Sequence, residues 1–213
     1  MISLFEKGGI IMWPLLLTSI ISLGVVLERI LFIIRERKSR DSEVIENIFL
    51  FTEQGNIPTA IQVGQGTQDF VARTLVYGLQ HRNRSVANAL LCSANKELKR
   101  FSQGLSTLDT IITLAPLLGL LGTVTGMIHS FGLLGDTELS GASSAMTGGI
   151  AEALIATAFG LVIAIVSLIP YNYLNSRLED ARHEIEDACT RLEMILIKPE
   201  KVEKDYEDLL ARR

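Results

Sequence analysis

The chain has 213 residues, 48% of them hydrophobic, and a formal net charge of −4. Its bases are interleaved with acids instead of gathered into a patch, so there is no nucleic-acid footprint. Its two cysteines, Cys92 and Cys189, stand too far apart for a disulfide framework or a zinc site, and its three histidines show no ligand spacing.

The mean hydropathy of +0.33 matters less than where the charges fall. No Lys or Arg lies between Gly8 and Glu28, or between Phe101 and Ser176, whereas the other segments are densely charged. Apolar blocks alternating with polar blocks point to a membrane protein. The start, MISLFEKGG, lacks the basic region of a cleaved signal, and the apolar run after it is too long for one, so it reads as a retained helix.

A membrane span needs about 20 mostly apolar residues. Residues 10–27, IIMWPLLLTSIISLGVVL, carry no charge and, with ILFII after Glu28 and Arg29, predict a first span over 10–34 behind a short N-terminus, 1–9. Trp13 suits an outer interface belt and Pro14 the first turn of a helix. A polar region, 35–104, follows, in which Gly55, Pro58, Gly64 and Gly66 are expected to divide short helices.

From Ser85 the apolar residues fall at 87, 90, 91, 94, 98, 101, 105, 108 and 112. That is helical periodicity, and it predicts one long helix running into a second span, 105–135. A short connection, 136–147, leads to a third span, 148–174, whose apolar run is interrupted only by Glu152. Leu174, Leu178, Ala181, Ile185, Ala188, Leu192 and Ile195 carry that helix into the last segment, 175–213, up to the region of Pro199. The expected fold is all-α, with three transmembrane helices of which the second and third extend into a helical bundle.

Basic residues orient the chain. Arg29, Arg35, Arg37, Lys38 and Arg40 crowd the end of span one; Lys99 and Arg100 precede span two; Arg177 and Arg182 follow span three; the 136–147 connection has none. The positive-inside rule therefore places 35–104 and 175–213 in the cytoplasm, and the N-terminus and the connection outside.

Small residues recur inside the spans: Gly119, Gly122 and Gly126 in the second, and Gly149, Ala153, Ala156, Gly160 and Ala164 in the third. They let membrane helices approach closely, within one subunit or between copies. Three spans enclose little on their own, so this pattern favours an oligomer over a monomer.

Asp109, Pro116, Thr123 and Ser130 recur every seven residues along span two, a sparse polar line on an apolar helix. Thr157 lies at a depth similar to Thr123. Each threonine alone could bond its own preceding carbonyl; together with an intramembrane acid they favour a polar lumen. A carboxylate near the bilayer centre costs roughly 3 kcal/mol on insertion scales, and such acids usually mark ion paths. Glu152, about 140° around the helix from Thr157, would sit at the lumen's rim or face a neighbouring span. His129 could titrate near neutral pH, or simply be an interfacial histidine. GLLGTVTG lacks the ending of a phosphate loop, no nucleophile–base pair is visible, and neither an enzyme nor a bound cofactor or metal is expected.

APLLGLLGTVTGMIHSF (115–131), GGIAEALIATAFGLVIAI (148–165), YNYL (171–174) and PLLLTSIISLGVVLER (14–29) resemble the MotA/TolQ/ExbB proton-channel family, its TolQ/ExbB branch most closely. The resemblance covers the three spans, is weak over 35–100 and absent over the tail. It implies a homopentamer in the bacterial inner membrane, around a dimer of a single-span ExbD/TolR-like partner whose span carries an essential aspartate. It also implies a TonB- or TolA-like protein that receives force driven by the proton motive force. It carries Thr123, Glu152 and Thr157 over as ion-pathway residues. Gly148 departs from it, since a proline is common there. A non-conducting membrane scaffold is the alternative, and a solute carrier a weaker one.

Overall fold

In this computed structural model the described residues are 9–132 and 139–197, of which 139–146 are described by backbone alone. They form seven helices and no strand: α1 Met12–Lys38, α2 Ser42–Glu53, α3 Ile57–Gly64, α4 Phe70–Gln80, α5 Val86–Ser102, α6 Leu105–Gly132 and α7 Leu139–Leu196. The stretches Met12–Lys38, Val86–Gly132 and Thr147–Leu196 are long and apolar enough to cross a membrane. The all-α class and the three spanning helices follow. The chain divides into two compact units, the first made of Gly104–Asn175 with the chain up to Leu31, the second of Phe32–Gln103 with the chain from Ser176.

Helix ends depart from the sequence reading in two places. The helix expected to run unbroken into span two is interrupted by a turn at Gln103 and Gly104, where Gly104 adopts φ +78°. That left-handed conformation is open to glycine at little cost. A Cβ there would also press on Val25 and Arg29. The stretch 136–147, expected as a connection, is helical from Leu139 onward. Its sequence, LSGASSAMT, contains no proline to stop a helix. α7 then runs 58 residues to Leu196, much longer than the roughly 30 Å apolar core of a bilayer requires at about 1.5 Å per residue.

In the first unit, α6 and α7 pack antiparallel along small residues. A Cβ on Gly119 would lie 2.9 Å from Thr157 Cα, one on Gly122 2.8 Å from Ala156 Cβ, and one on Gly126 2.8 Å from Ala153 Cβ. A Cβ on Gly160 would meet the Ala115 carbonyl oxygen at 2.5 Å. These glycines therefore close a seam inside one chain, as small residues do where membrane helices touch backbone to backbone. Met12 and Leu15 of α1 complete a small core with Ala115 and Ala156. Ser22 and Ser167 share a hydrogen bond of 2.6 Å between α1 and α7.

The second unit has a core of Ile48, Phe49, Leu75, Leu79, Leu90, Ile185 and Leu192, all nearly inaccessible. Its short helices start at side-chain caps: Asp41 accepts from Val44 N, Asn56 from Thr59 N, Asp69 from Val71 N and Ser85 from Asn88 N. Of the punctuating residues, Gly55 (φ +75°) and Gly66 (φ +88°) sit in turns, and Pro58 lies in the first turn of α3. Gly64 closes α3 as its last residue, and a Cβ there would collide with Val76 and Ile48. It is there for close packing.

Candidate functional site

The first unit holds the residues singled out in the spans. Thr157 on α7 is half-buried and donates its hydroxyl to the Gly119 carbonyl of α6 at 2.8 Å. The small-residue seam makes this bond possible, because only a close backbone approach brings a threonine within reach of another helix's carbonyl. Thr123, one turn from Gly119 and also half-buried, donates to its own Leu120 carbonyl at 2.7 Å. The simple expectation for a membrane threonine thus holds for Thr123, while Thr157 bonds across helices. Both hydroxyl protons are engaged, and both oxygens keep lone pairs that can accept.

The seven-residue polar line does not share one environment. Ser130 is 1% exposed, faces Gly149 and bonds the Gly126 carbonyl at 2.8 Å, whereas Asp109 is exposed. A straight helix drifts by about 20° over each seven residues, so three steps turn Ser130 well away from Asp109. Pro116 lies inside α6 and is half-buried.

Glu152 and His129, on different helices, are brought to one cavity of about 400 Å³. Its wall also includes Gly9, Thr125, Gly126 and Gly149. Both titratable side chains are exposed to it. Gly9 sits against the Glu152 carboxylate so closely that a Cβ would overlap Oε1, and its φ is +68°. Glycine satisfies both constraints, approach and conformation. Along α7, Glu152 and Thr157 are separated by about 7.5 Å of rise. Each meets α6, Glu152 at the level of Gly126 and His129 and Thr157 at the level of Gly119.

Two features here escaped the sequence reading. Thr125 on the cavity wall donates to the Leu121 carbonyl at 2.9 Å; it falls outside the seven-residue line that singled out Thr123. The Ser22–Ser167 pair joins residues 145 positions apart, so no local pattern could have shown it. At the end of span one, Glu28 and Arg29 pair with each other, and Arg29 is buried.

The profile of the MotA/TolQ/ExbB proton channel family matches residues 65–187. The chain belongs to that family. Among its relatives is a protein of Synechocystis sp. named putative biopolymer transport protein ExbB-like 1, 36% identical over 90% of this chain and 77% of the relative. A second from the same organism, ExbB-like 3, is 32% identical over 93% of this chain and 97% of the relative. The Tol-Pal system protein TolQ of Haemophilus influenzae is 37% identical over 45% of this chain and 41% of its own length. Names from both ExbB and TolQ place this family member in the TolQ/ExbB branch. The family is one of membrane channels rather than of enzymes, and the match spans Thr123, Glu152 and Thr157.

Proposed function

We propose that this chain is the channel-forming subunit of an inner-membrane motor. In this reading five copies surround a dimer of a single-span ExbD/TolR-like protein, with spans two and three toward the lumen and span one outside. The N-terminus faces the periplasm, and residues 35–104 and 175–213 form a cytoplasmic helical bundle. The proton motive force moves the partner, and a TonB- or TolA-like protein carries the work to the envelope. The family membership supports this reading, as do the many apolar side chains of α1, α6 and α7 that remain exposed in a single chain, among them Leu117, Ile128, Phe131, Val166 and Ile169. Exposed apolar surface on this scale needs lipid or further copies to cover it.

The observation that carries the mechanism is the state of the two threonine hydroxyls. Both donate to backbone carbonyls. A ring of such residues offers a visiting carboxyl group acceptors and no free donor. It therefore receives the protonated acid, which has a hydrogen to give, and disfavours the ionised form, which needs donors. Protonation of the partner's aspartate then sets its affinity for the ring. A twofold partner cannot satisfy five equivalent sites at once, so each protonation or deprotonation favours a step to the next. Glu152, with His129 across its cavity, supplies periplasmic access for the ion.

Proton flux into liposomes holding the chain with its ExbD/TolR-like gene neighbour tests this. Flux that disappears in Thr157→Val while the complex stays assembled supports it. Full flux and gradient-driven activity in Thr123→Val, Thr157→Val and Glu152→Gln would leave a scaffold instead.

A further inference from the structure

A second cavity, of about 220 Å³, lies wholly in the second unit, and none of the proposed ion-pathway residues lines it. Three cations and three anions line it: Arg37, Arg40 and Arg177 with Glu36, Asp180 and Glu184. Arg40 pairs with Glu184 at 2.6 Å and Arg177 with Asp180 at 3.3 Å. That leaves Glu36 and Arg37, neighbours on α1, which are not paired with each other.

Glu36 is 7% exposed, and its Oε1 has no hydrogen-bond partner. The cause lies in its surroundings. Arg73 and Arg100 both aim at Glu97, at 2.7 and 2.6 Å. They leave Glu36 with a nitrogen of Arg73 at 3.7 Å from Oε1 and one of Arg100 at 3.8 Å from Oε2. Those separations give charge attraction without a hydrogen bond. A buried carboxylate without donors is a costly group, and one expects something to supply them. Arg37 is exposed and, among the described residues, has no acidic partner. The rings of Phe70 and Phe101 also line the cavity, and aromatic faces attract cations.

One cavity thus lacks donors at a buried anion and an acceptor at an exposed cation. We propose that it binds a zwitterion bearing a primary ammonium and a phosphate, the headgroup of phosphatidylethanolamine, with the ammonium at Glu36 and the phosphate at Arg37. Glu36 and Arg37 directly follow the first span, 10–34, and Arg177 directly follows the third, 148–174. The proposal rests on the cytoplasmic placement of these segments given above. The headgroup layer is roughly 5–7 Å deep on each side of the apolar core, and two or three helical residues rise about 3–4.5 Å. Glu36 and Arg37 therefore fall at the level of the headgroups of the inner leaflet.

The test uses the full chain in detergent, without the partner or a gradient, so its result is independent of ion coupling. Native mass spectrometry counts bound lipid in micelles doped equally with phosphatidylethanolamine, phosphatidylcholine or phosphatidylglycerol. Phosphatidylethanolamine is expected to be retained about tenfold over phosphatidylcholine, whose quaternary ammonium has no N–H to donate. Glu36→Gln and Arg37→Gln should each remove that preference, while Arg35→Gln, outside the cavity, should keep it. Arg37 is exposed, so its variant reads binding even if Glu36→Gln disturbs folding. If free phosphoethanolamine at the same concentration displaces the lipid, the zwitterion site stands and its ligand is the soluble molecule. Equal retention of the three lipids, a preference for phosphatidylglycerol, or a preference unchanged in Arg37→Gln would overturn the proposal.

Discussion

The Thr157 hydroxyl donates to the Gly119 carbonyl at 2.8 Å, joining α7 to α6 across 38 residues of sequence. Removing it separates the structural contribution of that bond from the functional one. Hydrogen bonds between membrane helices average only about 0.6 kcal/mol, and the seam around Thr157 is held by close packing. Thr157→Val should therefore assemble normally and lose gradient-dependent activity. Native mass spectrometry and proton flux, measured on one preparation, check both halves.

The seam itself should be intolerant of methyl groups. In Gly160→Ala the new Cβ meets the Ala115 carbonyl oxygen at 2.5 Å, and both parties are backbone or fixed to it. A loss of about 1–3 kcal/mol is expected from such overpacking. A methyl group added at Gly24 on α1 would have nothing within 4 Å, so Gly24→Ala should be neutral or stabilising by up to about 1 kcal/mol. Thermal unfolding in detergent compares the two, and equal effects would argue against the seam.

Glu152 and His129 share one cavity, and their variants should be coupled. Glu152→Gln and His129→Gln should each lower flux. The double variant should then fall no further than Glu152→Gln alone. Independent, multiplying losses would show that the two side chains act separately.

Cysteine chemistry tests the topology without added mutations. Cys92 is exposed, whereas Cys189 is partly buried, and burial with Glu193 and Glu186 nearby pushes its thiol up to about 11. The thiolate is the reactive form, so a membrane-impermeant maleimide should label Cys92 quickly and Cys189 slowly. Labelling should occur in inverted vesicles and not in intact spheroplasts. Labelling of Cys92 from the periplasmic side would reverse the orientation.

Burial raises the Glu36 carboxyl above its ordinary value, and the Arg100 and Arg73 charges offset this in part. The sign follows from linkage. A raised folded-state value means that this group's contribution to stability is present at low pH and lost as pH rises through that value. Glu36→Gln, which resembles the protonated form, should therefore match or exceed the parent in thermal stability near pH 7. Its advantage should shrink on acidification toward pH 4. A variant that is less stable at pH 7 and not at pH 4 would mean that attraction to the arginines outweighs burial.

Much of this chain was legible from one dimension because a bilayer imposes one-dimensional rules. Span length, the absence of charge from 10–27 and the apolar period from Leu174 to Ile195 predicted the all-α class and the three long helices, since each of these depends on neighbours in sequence. The motifs around Thr123 and Glu152 likewise pointed to the family. Only the tertiary structure decided what those residues touch. Thr123 and Thr157 look alike in sequence, yet one bonds its own helix and the other a neighbouring one, because Gly119 and Gly160 let two backbones meet. Gly64 reads as a helix divider and does end α3, but its packing role shows only in the side chains of Val76 and Ile48 that a Cβ would meet. Glu36 reads as one charge among many after span one. Its burial and its missing donor arise because Arg73 and Arg100, far along the chain, both turn to Glu97. Periodicity and charge can be read along a chain, but which partner satisfies a buried polar group depends on what folding brings beside it.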